Sequence, residues 1–244
     1  MSVAKTLKRV GKISAKRIAS AAATMILLTV LAIASSSSRA TTGWVQVVTP
    51  DLQPEGELAL SFQWEGEKLG NPYLLQAEMG LTKWAEVAVF RGFDPDEWIF
   101  NTEIGLRTQE PWLLSIGFVN WSPHNNVDPE PFIVAGYYRN HHRIIAGAAH
   151  AGYRHEALLA YAYNFNDSWQ VQIDWQSGSG NSSSIGFTWN ITPKLQLTPA
   201  IFVTNDSPHE VLGFLTLSYT FDFWTPKKAQ AIGTNCLPRV AGVK

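Results

Sequence analysis

Residues 168 to 177 read SWQVQIDWQS, and their side chains alternate strictly between two kinds. The odd positions from Trp169 to Trp175 are all apolar, and the even positions from Gln170 to Gln176 are all polar. A β-strand sends successive side chains to opposite faces, so this segment places an apolar surface back to back with a polar one. In a soluble sandwich the apolar face points to the core, whereas in a membrane barrel it points to lipid. One strand alone is compatible with both folds.

The same alternation recurs along the chain, for example in ELALSFQWE at 57–65 and in SIGFTWNI, and helical periodicity is almost absent. The central strands are less regular because both of their faces carry apolar or small residues. The pattern predicts twelve strands, near residues 57–65, 73–81, 84–92, 98–108, 112–121, 131–139, 142–152, 155–165, 168–177, 183–191, 194–203 and 210–223.

The connections between these strands favour a membrane barrel. Odd-numbered connections, such as EGEKLGNP and SPHNNVDPE, are mostly long, and even-numbered ones are short, with YRH as an exception. Bacterial outer-membrane barrels have this alternation of long outer loops and short periplasmic turns, and their strands need roughly 9 to 11 residues to cross. We therefore predict an all-β, up-and-down antiparallel transmembrane β-barrel of about twelve strands in the outer membrane of a Gram-negative bacterium. Ten or fourteen strands stay open, because GWVQVV at 43–48 could add a strand.

The amino-terminal region has the pattern of a secretory signal. Six Lys and Arg residues and no acid lie in residues 1–17, and the apolar run at 21–34 is shorter than the roughly 20 residues that a spanning helix needs. Ser38 and Ala40 supply a small-residue cleavage site. We predict a signal peptide at 1–40, a periplasmic segment at 41–56, the barrel at 57–224 and a periplasmic tail at 225–244. An uncleaved anchor is the alternative at the amino end.

Charge and cysteine content exclude some partners. Removing seven of the 19 basic residues with the signal leaves 12 against 20 acids, a net charge of 12 minus 20, or minus 8. Nothing resembles a basic stripe, so a nucleic-acid partner is not expected. The sole cysteine, Cys236, cannot form an internal disulfide. We expect no cofactor.

Two stretches resemble known barrels. The last strand, LGFLTLSYTFDFW, has an alternation of Tyr219, Phe221 and Phe223 that is similar to the closing strand of outer-membrane proteins, whose terminal aromatic is recognised by the barrel assembly machinery. The chain departs from that pattern by continuing for 20 residues after Trp224. The beginning of the mature chain resembles the porin-like barrels of the phenol-degradation MetA-pathway family at Thr49, Pro50, Pro54, Gly56, Gly80, Leu81, Thr82 and Glu86. This resemblance implies an outer-membrane location and the passage of small hydrophobic or aromatic compounds.

The parity of the strands predicts which polar side chains face the interior. The candidates for contact with a solute are Glu78, Glu86, Glu103, Arg107, Gln172, Asp174 and Asp222. Charges inside a barrel must be hydrated or paired, so this set implies either water in the interior or a polar network that fills it. We interpret the protein as a narrow porin-like channel or a binder of small solutes, with outer-membrane lipid as its surroundings, and leave pore and plug open.

Other functions are less well supported by the residues. His141 and His142 fall in a predicted periplasmic turn, whereas His150 and His155 flank an outer one, so we do not expect a shared metal site. No G-x-S-x-G stretch is present, and we do not expect an enzyme. The alternatives that stay open are a secreted soluble sandwich or lipocalin-like binder and, third, a barrel-embedded lipid hydrolase.

Overall fold

A computed structural model describes residues 45–67, 71–125 and 127–224. Twelve strands account for most of this part of the chain, and a short 3₁₀ helix, Pro123–Asn125, lies in one loop. The strands are β1 Glu57–Glu65, β2 Tyr73–Thr82, β3 Ala85–Phe93, β4 Asp96–Gln109, β5 Trp112–Trp121, β6 Glu130–Arg139, β7 His142–Ala151, β8 Arg154–Asn164, β9 Trp169–Gln176, β10 Ser182–Asn190, β11 Leu195–Thr204 and β12 Val211–Asp222.

The strands form one closed antiparallel barrel in which each strand pairs with its neighbours in sequence. The ring is closed by β1 and β12, whose register runs from Glu57 opposite Asp222 to Glu65 opposite Phe214. Twelve strands and an up-and-down topology confirm the predicted fold class. Residues 45–48 form no strand, so the possible extra strand at 43–48 is not found in the described part of that stretch.

The apolar faces of the strands point outward. Trp169 and Trp175 are 40% and 38% exposed, whereas Gln172 between them is fully buried. Exposed aromatic residues lie at both rims, and the rings of Trp169 and Trp189 stack with centroids 5.2 Å apart and planes 2° apart. This is the lipid-facing arrangement of a membrane barrel, with aromatic girdles around an apolar band. Among the described residues, no helix is long and apolar enough to cross a membrane.

The two rims of the barrel differ in the length of their connections. At the turn end, residues 83–84, 110–111, 140–141, 165–168 and 191–194 connect the strands. At the loop end, the connections at 66–72, 122–129, 177–181 and 205–210 are longer, and those at 94–95 and 152–153 have two residues each. The connection at 94–95 is shorter than FDPDE suggested, because β3 and β4 pair as far as Phe93 and Asp96.

One of the predicted segments lies elsewhere than expected. We predicted a periplasmic segment at 41–56, but residues 45–54, the plug segment, lie inside the barrel, as its contacts with inward-facing side chains show. The apolar side chain of Val47 is only 4% exposed because it packs on the apolar inner wall of β5 to β8. The predicted signal peptide and carboxy-terminal tail lie outside the described residues.

Candidate functional site

The part of the plug segment around Gln46, nearer the loop end, is held by the inner face of β9 and β10. The Gln46 backbone N–H donates to Asp174 Oδ2 at 3.2 Å, and Ser182 Oγ donates to Gln46 Oε1 at 2.7 Å. Ser184 Oγ donates to the other carboxyl oxygen of Asp174 at 2.5 Å. Asp174 is 4% exposed, so both of its oxygens are used within the interior. Its role here is to fix the plug segment.

The part of the plug segment around Asp51, nearer the turn end, is held by charged groups. Tyr138 Oη donates to Asp51 Oδ2 at 2.5 Å, and Arg143 Nη1 lies 3.5 Å from the same oxygen. The Arg143 guanidinium also lies over the Tyr138 ring, 4.9 Å from its centroid. On β3, the Gln53 backbone N–H donates to Glu86 Oε2 at 2.5 Å. The segment therefore crosses the interior from β2 and β3 towards β9 and β10.

Inward-facing glycines make room for the plug segment. A Cβ atom added at Gly80 would lie 2.1 Å from the Pro54 carbonyl oxygen and 2.3 Å from that of Gln53. These are backbone atoms, which cannot move aside as a flexible side chain can. At three other positions the added atom would meet side-chain atoms of Leu52, Pro50 and Val45 at 2.8, 2.8 and 3.1 Å: Gly105, Gly136 and Gly186.

We expect Gly80→Ala to destabilise the barrel by about 1–3 kcal/mol, the usual cost of forcing extra atoms into a packed interior. The clash displaces the plug segment at its junction with β1, so the temperature of heat-modifiable migration in detergent gels should fall. Ala148→Val is the matched control, because Ala148 is exposed on the outer face and added methyl groups there meet no protein atoms of the interior. Equal stability of the Gly80→Ala variant and the wild type would contradict the close packing.

We expect Tyr138→Phe to lower the free energy of unfolding by about 1.5–3 kcal/mol, because a buried hydrogen bond to a charged group of the plug segment is lost. Tyr138 is 3% exposed, so water cannot readily replace its hydroxyl group at Asp51. Thermal unfolding of the purified protein measures the loss. Tyr153→Phe, at a residue that is 98% exposed, removes a hydroxyl group without this contact and should leave the unfolding temperature unchanged.

A cavity of about 540 Å³ lies inside the barrel beside the plug segment. It reaches the loop end, where Asn71, Gly180 and Asn181 line it, and its lining includes no residue of the turn-end connections. The turn-end half of the interior is packed by side chains that are almost fully buried, among them Gln53, Gln172 and Thr220. We name this cavity the vestibule. It is a chamber that is open to the loop end and has the plug segment in its wall.

The vestibule has a one-sided charge. Its lining contains no Lys, Arg or His among the described residues. It contains seven acids, of which Asp51 is ion-paired with Arg143: Asp51, Glu65, Glu78, Glu86, Glu97, Glu103 and Glu130. Several of these carboxyl groups accept hydrogen bonds from neighbouring amides, as Glu97 does from Asn71 at 3.2 Å and Glu130 from Asn120 at 3.0 Å. The low-dielectric walls of a cleft lined by one sign of charge focus its field and attract ions of the opposite sign.

The acids concentrate on β2 to β4 at the lower end of the vestibule. Glu86 lies directly opposite Glu103 in the β3–β4 register, and Glu78, which pairs with Ala88, is a diagonal neighbour of Glu86. Side chains directly opposite on one face have Cβ atoms about 4.5–5.5 Å apart, so like charges there repel. Glu103 is almost fully buried at this position, with 5% of its surface exposed.

The seven residues that we predicted for solute contact lie in three kinds of position in the structure: in the vestibule lining, in the packed wall and at the turn-end rim. Glu78, Glu86 and Glu103 line the vestibule. Gln172 and Asp174 face inward but are packed in the wall, where Gln170 Nε2 donates to Gln172 Oε1 at 2.6 Å and Asp174 holds the plug segment. The two remaining residues, Arg107 and Asp222, are placed differently from the prediction.

Arg107 does not face the interior. The β4–β5 register shifts between Gly105 and Arg107, so that Arg107 pairs with Leu114 and its side chain is exposed. A β-bulge inserts one residue and inverts the parity beyond it. The Arg107 Nε–H donates to the Trp112 carbonyl oxygen at 2.8 Å at the turn end. Arg107 is therefore a rim residue.

Asp222 lies at the turn-end rim rather than in the chamber. Lys194 Nζ is 2.7 Å from Asp222 Oδ2, and the Asp222 side chain is 44% exposed. Lys194 belongs to the connection between β10 and β11, so the ion pair ties this turn to the end of β12. Parity alone placed Asp222 on the inner face, but it is the last residue of the strand, below the packed interior.

The histidines lie at opposite ends of the barrel. His142 Nδ1 is 2.9 Å from Tyr161 Oη at the turn end, whereas the rings of His150 and His155 are paired at the loop end with centroids 4.7 Å apart. Within residues 45–67, 71–125 and 127–224, no three His, Cys, Asp or Glu side chains are grouped so as to hold a metal ion.

The loops beside the vestibule are tied to one another. The Gly180 backbone N–H donates to Asp206 Oδ2 at 2.6 Å, and this bond to the carboxylate lowers the pKa of Asp206. Arg154 Nη1 donates to the Ser179 carbonyl oxygen at 2.8 Å. Because the pKa of Asp206 is lower in the folded protein than in the unfolded chain, its contribution to stability is present near neutral pH and is lost as the pH falls through the lowered pKa.

No protein-family model matches the chain, and no curated protein sequence matches it. Among solved structures, the KdgM porin is similar to it with a TM-score of 0.50 and 7% identity, over 68% of this chain and 99% of that chain. The NanC porin has a TM-score of 0.43 at 10% identity, over 66% of this chain and 98% of that chain. A mutant of the Rh. blastica porin has a TM-score of 0.35 at 11% identity, over 68% and 98% of the two chains.

At 7% identity the likeness to the KdgM porin concerns the fold. The resemblance of residues 49–86 to the phenol-degradation MetA-pathway barrels has no matching family model and stays an expectation. The closed barrel of twelve strands and its apolar, aromatic-girdled exterior agree with that likeness. The chain therefore has the fold of an outer-membrane porin.

Proposed function

We propose that this protein is an outer-membrane, porin-like channel for small cations and small neutral solutes. The observation that carries the proposal is the vestibule lining, which contains seven acids and no basic side chain among the described residues. A cation entering from the loop end is attracted by this field and an anion is repelled. The proposed function is non-enzymatic.

The plug segment sets the size limit in this proposal. Residues 45–54 share the interior with the permeating solute, and a bore of twelve strands lies between a filled barrel of eight strands and an open porin of sixteen. The turn-end half of the interior is packed, so in this proposal only ions and polar molecules small enough to pass between its side chains cross the barrel. The passage of small hydrophobic or aromatic compounds, which the MetA-pathway resemblance implies, is a further proposal and rests on the apolar part of the vestibule lining.

The orientation in the membrane is also part of the proposal. Short connections face the periplasm in barrels of this type, and the longer loops face outward. The vestibule then opens to the cell exterior. The barrel assembly machinery would recognise the end of β12, where the rings of Tyr219 and Phe221 pack with centroids 4.6 Å apart.

The test is an ion-selectivity measurement on the purified protein in planar bilayers. Folding is first checked by heat-modifiable migration in detergent gels. Under a KCl gradient, the sign of the reversal potential should be that of a pore selective for K⁺ over Cl⁻. A reversal potential of the anion-selective sign, or a folded protein without conductance, would exclude the proposed function.

A further inference from the structure

We propose that His150 and His155, the histidine pair, bind one divalent transition-metal ion, such as Cu²⁺ or Ni²⁺, at the loop-end rim of the barrel. The two residues lie directly opposite each other in the β7–β8 register. Side chains in such positions share one face of the sheet and have Cβ atoms about 4.5–5.5 Å apart, so both imidazoles can reach one ion. The site lies outside the vestibule and is independent of the proposed channel function.

The two imidazole rings have the separation that a shared ion requires. Their centroids are 4.7 Å apart, and their planes are tilted by 34°. Imidazole nitrogens bind Zn²⁺ at about 2.0–2.1 Å, so two rings that share such an ion at an angle of about 90–110° have centroids roughly 4.5–5.2 Å apart. Neutral imidazole is a preferred ligand of Cu²⁺, Ni²⁺ and Zn²⁺. Formation of the site therefore needs rotation of the rings but no movement of either strand.

The histidine pair lies on the outer face of the barrel but beyond the lipid-facing band. Trp175, an exposed aromatic residue at the loop end of β9, pairs with Leu159, and His155 lies four residues nearer the rim on β8. This offset is about 13 Å along the strand at 3.3 Å per residue. His155 is exposed, and Tyr153 in the adjoining turn is 98% exposed. A dissolved ion can therefore reach the pair from water.

The ring of His150 is not fixed through Nδ1, unlike those of other histidines. Within the described part of the chain, His150 Nδ1 has no hydrogen-bond partner. Buried polar atoms without a partner are rare in proteins. The ring can therefore turn a nitrogen towards an ion that His155 holds. A backbone carbonyl or a tyrosine hydroxyl oxygen lies 2.7 to 2.9 Å from Nδ1 in three other histidines: His141, His142 and His209.

The surroundings of the histidine pair favour a transition metal over a hard cation. Mg²⁺ and Ca²⁺ prefer oxygen ligands. The charged neighbours in β8 are bound elsewhere, since Arg154 Nη1 donates to the Ser179 carbonyl oxygen at 2.8 Å and Glu156 Oε2 accepts from Gln176 at 2.6 Å. Among the described residues, no third His, Cys, Asp or Glu is grouped with the pair. Two imidazoles are then the protein ligands, and water completes the coordination.

The test is calorimetric titration of NiCl₂ into the folded, full mature chain in detergent, prepared without a histidine tag. We expect Ni²⁺ to bind and MgCl₂ to bind at least about tenfold more weakly, because Mg²⁺ is a poor partner for imidazole. His150→Gln and His155→Gln should each weaken Ni²⁺ binding by about tenfold or more, because each removes one of the two protein ligands. The electron paramagnetic resonance spectrum of bound Cu²⁺ should show two imidazole nitrogens in the wild type and one in either variant.

His142→Gln and His209→Gln are the matched controls, because these histidines are exposed at the turn end and the loop end and lie apart from the pair. Both should leave the Ni²⁺ affinity unchanged. Heat-modifiable migration checks the folding of every variant. Undiminished Ni²⁺ binding in folded His150→Gln, an equal loss in the controls, or a wild-type Cu²⁺ spectrum with a single imidazole nitrogen would overturn the inference.

Discussion

Deletion of residues 45–52 is expected to raise the single-channel conductance several-fold in planar bilayers. These residues form most of the plug segment, and an extended chain occupies a cross-section of about 5 Å by 10 Å. Removing them leaves Gln53 and the junction at Gly80 in place but frees the inner wall along β6, β7, β9 and β10. The enlarged bore should carry more ions at the same voltage.

The same deletion should also lower the stability of the barrel. Val47 packs against Leu113, Val134, Ile145 and Leu158, and burying one valine side chain stabilises a protein by about 1.5–3 kcal/mol. The heat-modifiable transition should therefore occur at a lower temperature. A deletion of equal length within residues 225–244 controls for chain length. If the plug deletion conducts no more than this control, the segment does not limit the bore.

Replacing Glu78, Glu86 and Glu103 together by Gln is expected to remove most of the cation selectivity. The three carboxyl groups lie on neighbouring strands at the lower end of the vestibule, where an ion must pass closest to the plug segment. Neutralising them removes the local field while keeping side-chain size and hydrogen-bonding capacity. The reversal potential under a KCl gradient should move towards zero, and the conductance should become less dependent on ionic strength.

The matched control removes the same net charge outside the chamber. Glu67→Gln, Glu110→Gln and Asp128→Asn are substitutions of exposed acids in connections of both rims. The control triple variant should retain the selectivity of the wild type, because exposed charges are screened by salt. Loss of selectivity in both triple variants would attribute it to total charge rather than to the vestibule.

The barrel itself was predictable from the sequence because its signal is periodic and repeated. In strands such as SWQVQIDWQS, every second side chain faces the interior and the others face lipid. A shift of one residue in strand register would turn every side chain to the wrong face. The alternation of long and short connections then distinguished the lipid-facing arrangement from a sandwich. The inward positions of Glu78, Glu86 and Glu103 followed from the same parity.

The predictions were wrong where the alternation of apolar and polar side chains is interrupted or absent. The bulge at Gly105 and Arg107 inverts the parity of β4, and nothing in EIGLRT reveals it without its partner strand. The plug segment was missed because VTPDLQPEG has no regular period and its contacts are with distant strands. A signal was available in the glycines at inward-facing positions, such as Gly80 and Gly136, since repeated loss of a side chain on an inner wall indicates that another chain segment packs against it.

The seam between β1 and β12 has a consequence for the mechanics of the barrel. β1 continues directly from the plug segment, and the backbone N–H groups of Phe223 and Trp224 donate to the Gly56 carbonyl oxygen at 2.8 and 3.0 Å. β1, which closes the barrel wall, is therefore continuous with the plug segment that lies inside the barrel. Separation of β1 from β12 would open the barrel wall and displace the plug segment at the same time, so the wall and the segment are expected to unfold in one cooperative step.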